Sequence, residues 1–140
     1  MQRLVIIYGD GSHNTELIAR ALDEGARSAG ADTVLKNVND ASLDDLRGAD
    51  AIAIGSPNYH NLMMPTVRKF LESMAGMELS GKAGLAFGSY GWGKEAVNTI
   101  HEMLASYGLS MADDLLIKRT PGKAELEECR RRGAQILGCV

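Results

Sequence analysis

The feature that most constrains this chain is the join between Leu4-Val5-Ile6-Ile7 and the residues after it. Four consecutive apolar residues read as a strand buried on both faces. The stretch Tyr8-Gly9-Asp10-Gly11-Ser12-His13-Asn14-Thr15 reads as a tight, hydroxyl-bearing turn. Beyond it Leu17, Ile18, Ala21, Leu22, Gly25, Ala26 and Ala29 recur at helical spacing. Strand, turn and helix start in that order aim unpaired backbone N–H groups and the positive end of a helix dipole at one spot. Such a spot binds anions, phosphate above all. Ser12, Asn14 and Thr15 are also ordinary helix-capping residues, so the turn alone leaves capping and phosphate binding both open.

At 140 residues the chain reads as a single domain, 1–140, with a core large enough to need no metal or disulfide staple. No apolar run is long enough to span a bilayer and no signal-like leader precedes the first strand, so a cytoplasmic protein without a membrane partner is expected. Cys129 and Cys139 have no second pair and no histidine at zinc spacing, and both are read as free thiols. A net charge of −3 without a basic stripe excludes nucleic acid as a partner. The Arg130-Arg131-Arg132 run is expected on a wet helix face, in Glu127–Arg131 and Glu128–Arg132 pairs.

Strand and helix patterns then alternate along the chain. Strands are expected at 33–38, 50–56, 83–88 and 115–117, with a short helical turn at 42–46 and helices from Pro65, Ala96 and Lys123. Such alternation gives a doubly wound α/β/α sandwich around a five-stranded parallel sheet. Ligands on such sheets bind at the carboxyl ends of the strands, where the strand order reverses. The loops 9–15, 57–64 and 88–93 leave strands and carry suitable chemistry, whereas the exits at Asn39-Asp40 and Arg119-Thr120 are plainer. Tyr59, Tyr90 and Trp92 are three of the chain's five tyrosine and tryptophan residues. A phosphate cradle between aromatic loops describes a site for a flat ligand with a phosphate tail.

The turn from Gly9 to Thr15, the Gly55-Ser56-Pro57-Asn58-Tyr59 strand exit and the Phe87-Gly88-Ser89-Tyr90-Gly91-Trp92-Gly93 loop together resemble the flavodoxin family. The last loop is particularly similar to the flavodoxin-like domain of diiron (A-type) flavoproteins. The resemblance covers nearly the whole chain and implies a flavodoxin-like sheet of order 2-1-3-4-5. It implies FMN as cofactor, with Asp10, Gly11, Ser12, His13, Asn14 and Thr15 around the phosphate. Pro57, Asn58, Tyr59, His60 and Asn61, with Ser89, Tyr90, Gly91, Trp92 and Gly93, would hold the isoalloxazine ring. It further implies a stand-alone, low-potential electron-transfer protein, with redox protein donors and acceptors, in a monomer or weak homodimer. No catalytic side chain and no metal ligand is expected.

The first loop departs from the family pattern. Asp10 and Gly11 stand where flavodoxins usually carry hydroxyl residues, and His13 stands where they carry glycine. A carboxylate repels a phosphate dianion unless it points away or caps the turn, and histidine lacks the backbone freedom of glycine. Other readings remain open: a flavin-dependent NAD(P)H or quinone reductase acting as a dimer, or a flavodoxin-fold interaction module that has lost FMN. A nicotinamide-binding Rossmann enzyme is disfavoured because Asn14 stands where its third glycine belongs. A receiver module is disfavoured because Gly55-Ser56 stand where its phospho-acceptor acid belongs.

Overall fold

Burial on both faces of three strands dictates the architecture. β1 (Arg3–Tyr8), β3 (Ala51–Gly55) and β4 (Ala83–Tyr90) are buried along almost their whole length. Only a parallel sheet covered on each face by helices keeps such strands dry. The computed structural model, which describes residues 2–11, 13–58, 61–91 and 93–139, has this sheet. β2 (Asp32–Asn37) pairs with β1, β1 with β3, and β3 with β4, all in parallel. The strand order is 2-1-3-4-5, as the sequence implied.

The fifth position of the sheet differs from expectation. It is filled by two pieces, β5 (Ser110–Met111) and β6 (Leu115–Lys118), each parallel to β4. Gly84 pairs with Met111 and Phe87 with Leu115, so residues 112–114 lie opposite only residues 85–86. One surplus residue breaks the ladder as a bulge does. Two residues are too few for β5 to show any periodicity, so the sequence reading missed it. Pairing with β6 also carries β4 on to Tyr90, which places Ser89 and Tyr90 at a strand end rather than in a loop.

The helices cover the two faces in pairs. α1 (Asn14–Ser28) and α4 (Lys123–Ile136) share a core with Leu4, Ile6, Leu85 and Phe87. α2 (Pro65–Ser73) and α3 (Glu95–Ser106) close the other core over Val5, Ile7, Ile52 and Ile54. Ile18 and Leu22 on α1 are wholly buried, which contributes about 1.5–3 kcal/mol each. Pro65 occupies the first turn of α2, where its missing N–H costs nothing. The turn at 42–46 forms a 3-10 helix at Leu43–Leu46, with Ser42 and Asp45 in a reciprocal capping box. Among the described residues no helix is long and apolar enough to cross a membrane.

The charge pairs on α4 are shifted from the expected register. Arg130 meets Glu127 at 2.5 Å, and Arg131 pairs with Glu128. Arg130 also reaches across to Glu24 on α1, and Arg132 donates to the carbonyl of Asp113. The pairs within α4 thus form at i,i+3 spacing, and Arg130 and Arg132 in addition reach α1 and the residues before β6. Cys129 is a free, wholly buried thiol, and burial pushes its pKa up to about 11.

Two glycines allow α1 and α4 to touch backbone to backbone. A Cβ at Gly25 would lie 1.8 Å from the carbonyl oxygen of Arg130, and one at Gly133 would lie 2.1 Å from that of Leu22. Neither obstacle is a side chain that can swing aside, so the helices must separate to admit a methyl group. Gly133→Ala should lower stability by roughly 1–3 kcal/mol in urea unfolding despite alanine's better helix propensity. An unchanged or raised midpoint would mean that the two helices slide apart at no cost.

Candidate functional site at the carboxyl ends of the strands

The sheet's hydrogen bonding continues past the strand ends and stitches the loops together. Gly9 N–H donates to Gly55 O at 2.9 Å, Ser56 N–H to Phe87 O at 3.2 Å and Asn58 N–H to Ser89 O at 3.2 Å. Arg119 N–H donates to Tyr90 O at 2.7 Å. Gly88 lets two of these exits meet, because a Cβ there would lie 2.2 Å from Ser56 O.

In the first loop Asp10 turns back onto its own helix. Its Oδ1 accepts the Glu16 N–H at 3.3 Å, capping an early N–H of α1. Its Oδ2 lies 3.6 Å from His13 Nδ1, which is also 3.4 Å from Glu16 Oε1. The remaining Glu16 oxygen accepts from Arg20 Nε at 2.7 Å. The Glu16 carboxylate raises the Arg20 pKa, while burial, followed by Glu16, raises that of the Tyr8 phenol. Potential ligand atoms of Asp10, His13 and Glu16 lie within 4.8 Å of one another, close enough to grip a cation. His13 has φ +75°, the left-handed conformation that suits glycine.

Thr15 joins this loop to the opposite side of the site. Its Oγ1 lies 2.9 Å from Ser89 Oγ, and the two residues are only 1% and 4% exposed. This pair braces the start of α1 against the end of β4. In the loop after β3 the wholly buried Ser56 makes a similar tie. Its hydroxyl donates to Pro57 O at 2.8 Å and accepts the Met64 N–H at 2.9 Å, closing the loop on itself. Asn58 Oδ1 accepts the Ala96 N–H at 2.9 Å and so caps α3 from a distant part of the chain. The asparagine with positive φ in this loop is Asn61, at +67°.

These ties leave a cleft of about 180 Å³, lined by Asn14, Pro57, Asn58, Ser89, Tyr90, Gly91 and Arg119. A Cβ at Gly91 would meet nothing within 4 Å, so the cleft is open on that side. At Gly93 the corresponding space is taken by the Glu95 carboxylate. The cleft thus gathers one residue of the first loop, two of the second and three of the third. Asp10, His13, Thr15 and Asn61 lie outside its lining. Ser12, Tyr59, His60 and Trp92 are outside the described residues. Arg119 is a cleft residue that the sequence reading passed over as part of a plain exit. Only the pairing of β6 with the end of β4 reveals it, through the Arg119–Tyr90 hydrogen bond.

Comparison with known proteins adds a second line of evidence. The flavodoxin family profile matches residues 6–133. The anaerobic nitric oxide reductase flavorubredoxin of Vibrio vulnificus is 33% identical over 140 residues, covering 96% of this chain. This chain spans only 28% of that relative's length. A solved flavodoxin from the domain Archaea superposes with a TM-score of 0.94 at 34% identity, covering 99% of this chain and 98% of that one. The rubredoxin oxygen:oxidoreductase of Desulfovibrio gigas gives a TM-score of 0.94 at 29% identity, covering 99% of this chain and 36% of that one.

The left-handed backbone at His13 can be tested directly. His13→Gly removes the clash of Cβ with the backbone and two contacts, at 3.6 and 3.4 Å, of an exposed imidazole with the carboxylates of Asp10 and Glu16. The variant should gain about 0.5–1 kcal/mol in urea unfolding. A loss of stability would show that the contacts of His13 with Asp10 and Glu16 outweigh the strain.

Proposed function

The chain belongs to the flavodoxin family of FMN-binding electron-transfer proteins, and we propose that the strand-exit cleft is where it holds the flavin. The observation that carries this reading is the meeting of Asn14 at the start of α1, Asn58 after β3 and Tyr90 at the end of β4 in one cleft. Asn14 begins α1, so the phosphate end of the ligand belongs beside it, at the positive end of the helix dipole. The open side of Gly91 and the apolar faces of Pro57 and Tyr90 suit a flat ring. When bound, the flavin supplies the redox chemistry, while the protein binds, orients and tunes it.

Ser12, His13, Asn14, Thr15 and the Gly11 backbone hold the phosphate in this reading. Tyr59, His60 and Asn61 flank one side of the ring, and Trp92 and Gly93 the other. Asp10 is no obstacle to the phosphate, because one of its oxygens caps α1 and the other faces His13. In the Thr15–Ser89 pair one hydroxyl donates to the other, which leaves one O–H for a further acceptor. Asn58 is held through both its N–H and its side chain, so it fixes the width of the cleft. The protein works as a carrier, accepting electrons from one redox protein and passing them to another.

Titration of flavin-free protein with FMN, followed by visible absorbance and flavin fluorescence, tests the reading. Saturable binding with quenched fluorescence is expected, and failure to bind would sink it. Thr15→Ala should weaken FMN binding about tenfold or more, the loss of a hydrogen bond of about 1.5–3 kcal/mol to a charged group, with riboflavin hardly affected. Equal losses for both ligands would reduce Thr15 to a brace for Ser89.

A further inference from the structure

Three cations surround Tyr90 at the mouth of the cleft. Lys94 Nζ lies 5.3 Å from the centre of the Tyr90 ring. Lys118 is the register partner of Tyr90 on β6, and Arg119 is bonded through its N–H to the Tyr90 carbonyl. The side chains of Lys94, Lys118 and Arg119 are all exposed. Among the described residues every other arginine side chain meets a carboxylate or carbonyl oxygen: Arg3, Arg20, Arg27, Arg47, Arg68, Arg130, Arg131 and Arg132. Arg119 meets none.

The acids around this rim do not cancel it. Glu95 is exposed beside Lys94 and lies against Gly93, leaving a surplus of positive charge. Glu125, after the turn that follows Arg119, accepts the Gly122 N–H at 2.6 Å and keeps its negative charge, offsetting one of the three cations. Asp10 and Glu16, beside α1, face His13 and Arg20. In a chain of net charge −3, the edge of the cleft thus keeps a surplus of positive charge, three cations against the carboxylates of Glu95 and Glu125.

We propose that this rim, formed by Lys94, Lys118 and Arg119, is the docking face for an acidic protein electron carrier. The inference rests on the flavin reading of the cleft, because a partner seated there lies beside the open side of Gly91. Complementary charge steers such a partner into register and raises its rate of encounter, an effect that salt screens.

The test uses a ferredoxin of strongly negative net charge as the acidic probe and the basic cytochrome c as the opposite one. Binding of each to the protein without flavin is measured by calorimetry at about 10 mM salt and again at about 300 mM, where the Debye length is below 10 Å. The ferredoxin should bind at low salt and lose at least tenfold in affinity at high salt, while cytochrome c binds more weakly. Lys94→Gln combined with Lys118→Gln should weaken ferredoxin binding about fivefold or more. A control, Arg47→Gln with Lys69→Gln, removes the same charge from other elements and should leave binding within about twofold. Tighter binding of cytochrome c, no binding of the ferredoxin, or an equal loss in the control pair would overturn the proposal. FMN titration of each variant is read separately, so failure of the flavin reading is distinguishable from failure of the docking face.

Discussion

Everything in this fold depends on keeping β1, β3 and β4 dry on both faces. A two-sided apolar strand has no stable place at a wet surface, so helices must pack above and below it. That requirement turns the chain back after each helix and aligns all the strands in parallel. Their carboxyl ends then lie along one edge, and loops far apart in sequence become neighbours there. The site follows from burial before any of its residues is considered.

Close backbone contacts make that edge rigid. Gly88 admits the Ser56 carbonyl, and Gly25 and Gly133 let α4 lie directly on α1. The Thr15–Ser89 hydroxyl pair and the Ser56 tie between Pro57 and Met64 are buried side-chain bonds that join these segments. Among the described residues no buried side-chain nitrogen or oxygen lacks a partner.

The departures from the family's first loop acquire a physical account. Asp10 replaces a hydroxyl residue, but it serves as a cap for α1 through the Glu16 N–H. His13 replaces a glycine and takes the left-handed backbone that glycine would have taken, held between two carboxylates. The acidic pair is drawn toward His13 and Arg20, and the positive surplus lies on the far rim, at Lys94, Lys118 and Arg119. The two sides of the cleft therefore present different charge to whatever approaches.

The sequence alone determined the layers, because a run such as Leu4 to Ile7 is apolar at every position and glycines such as Gly48 and Gly108 end elements with positive φ, while the strand order followed from the resemblance of its three loops to flavodoxins. It also marked the three loops at the strand ends, since turn chemistry after a buried strand is a local signal. Tertiary structure alone decided the broken fifth strand, where one surplus residue opposite Leu85 and Ala86 separates β5 from β6. It likewise set the salt-bridge partners of α4, the capping of α3 by Asn58 and the entry of Arg119 into the cleft. Apart from the i,i+3 pairs within α4, each of these joins residues distant in the chain, and local periodicity carries no information about which side chain a neighbouring strand or helix will bring within reach.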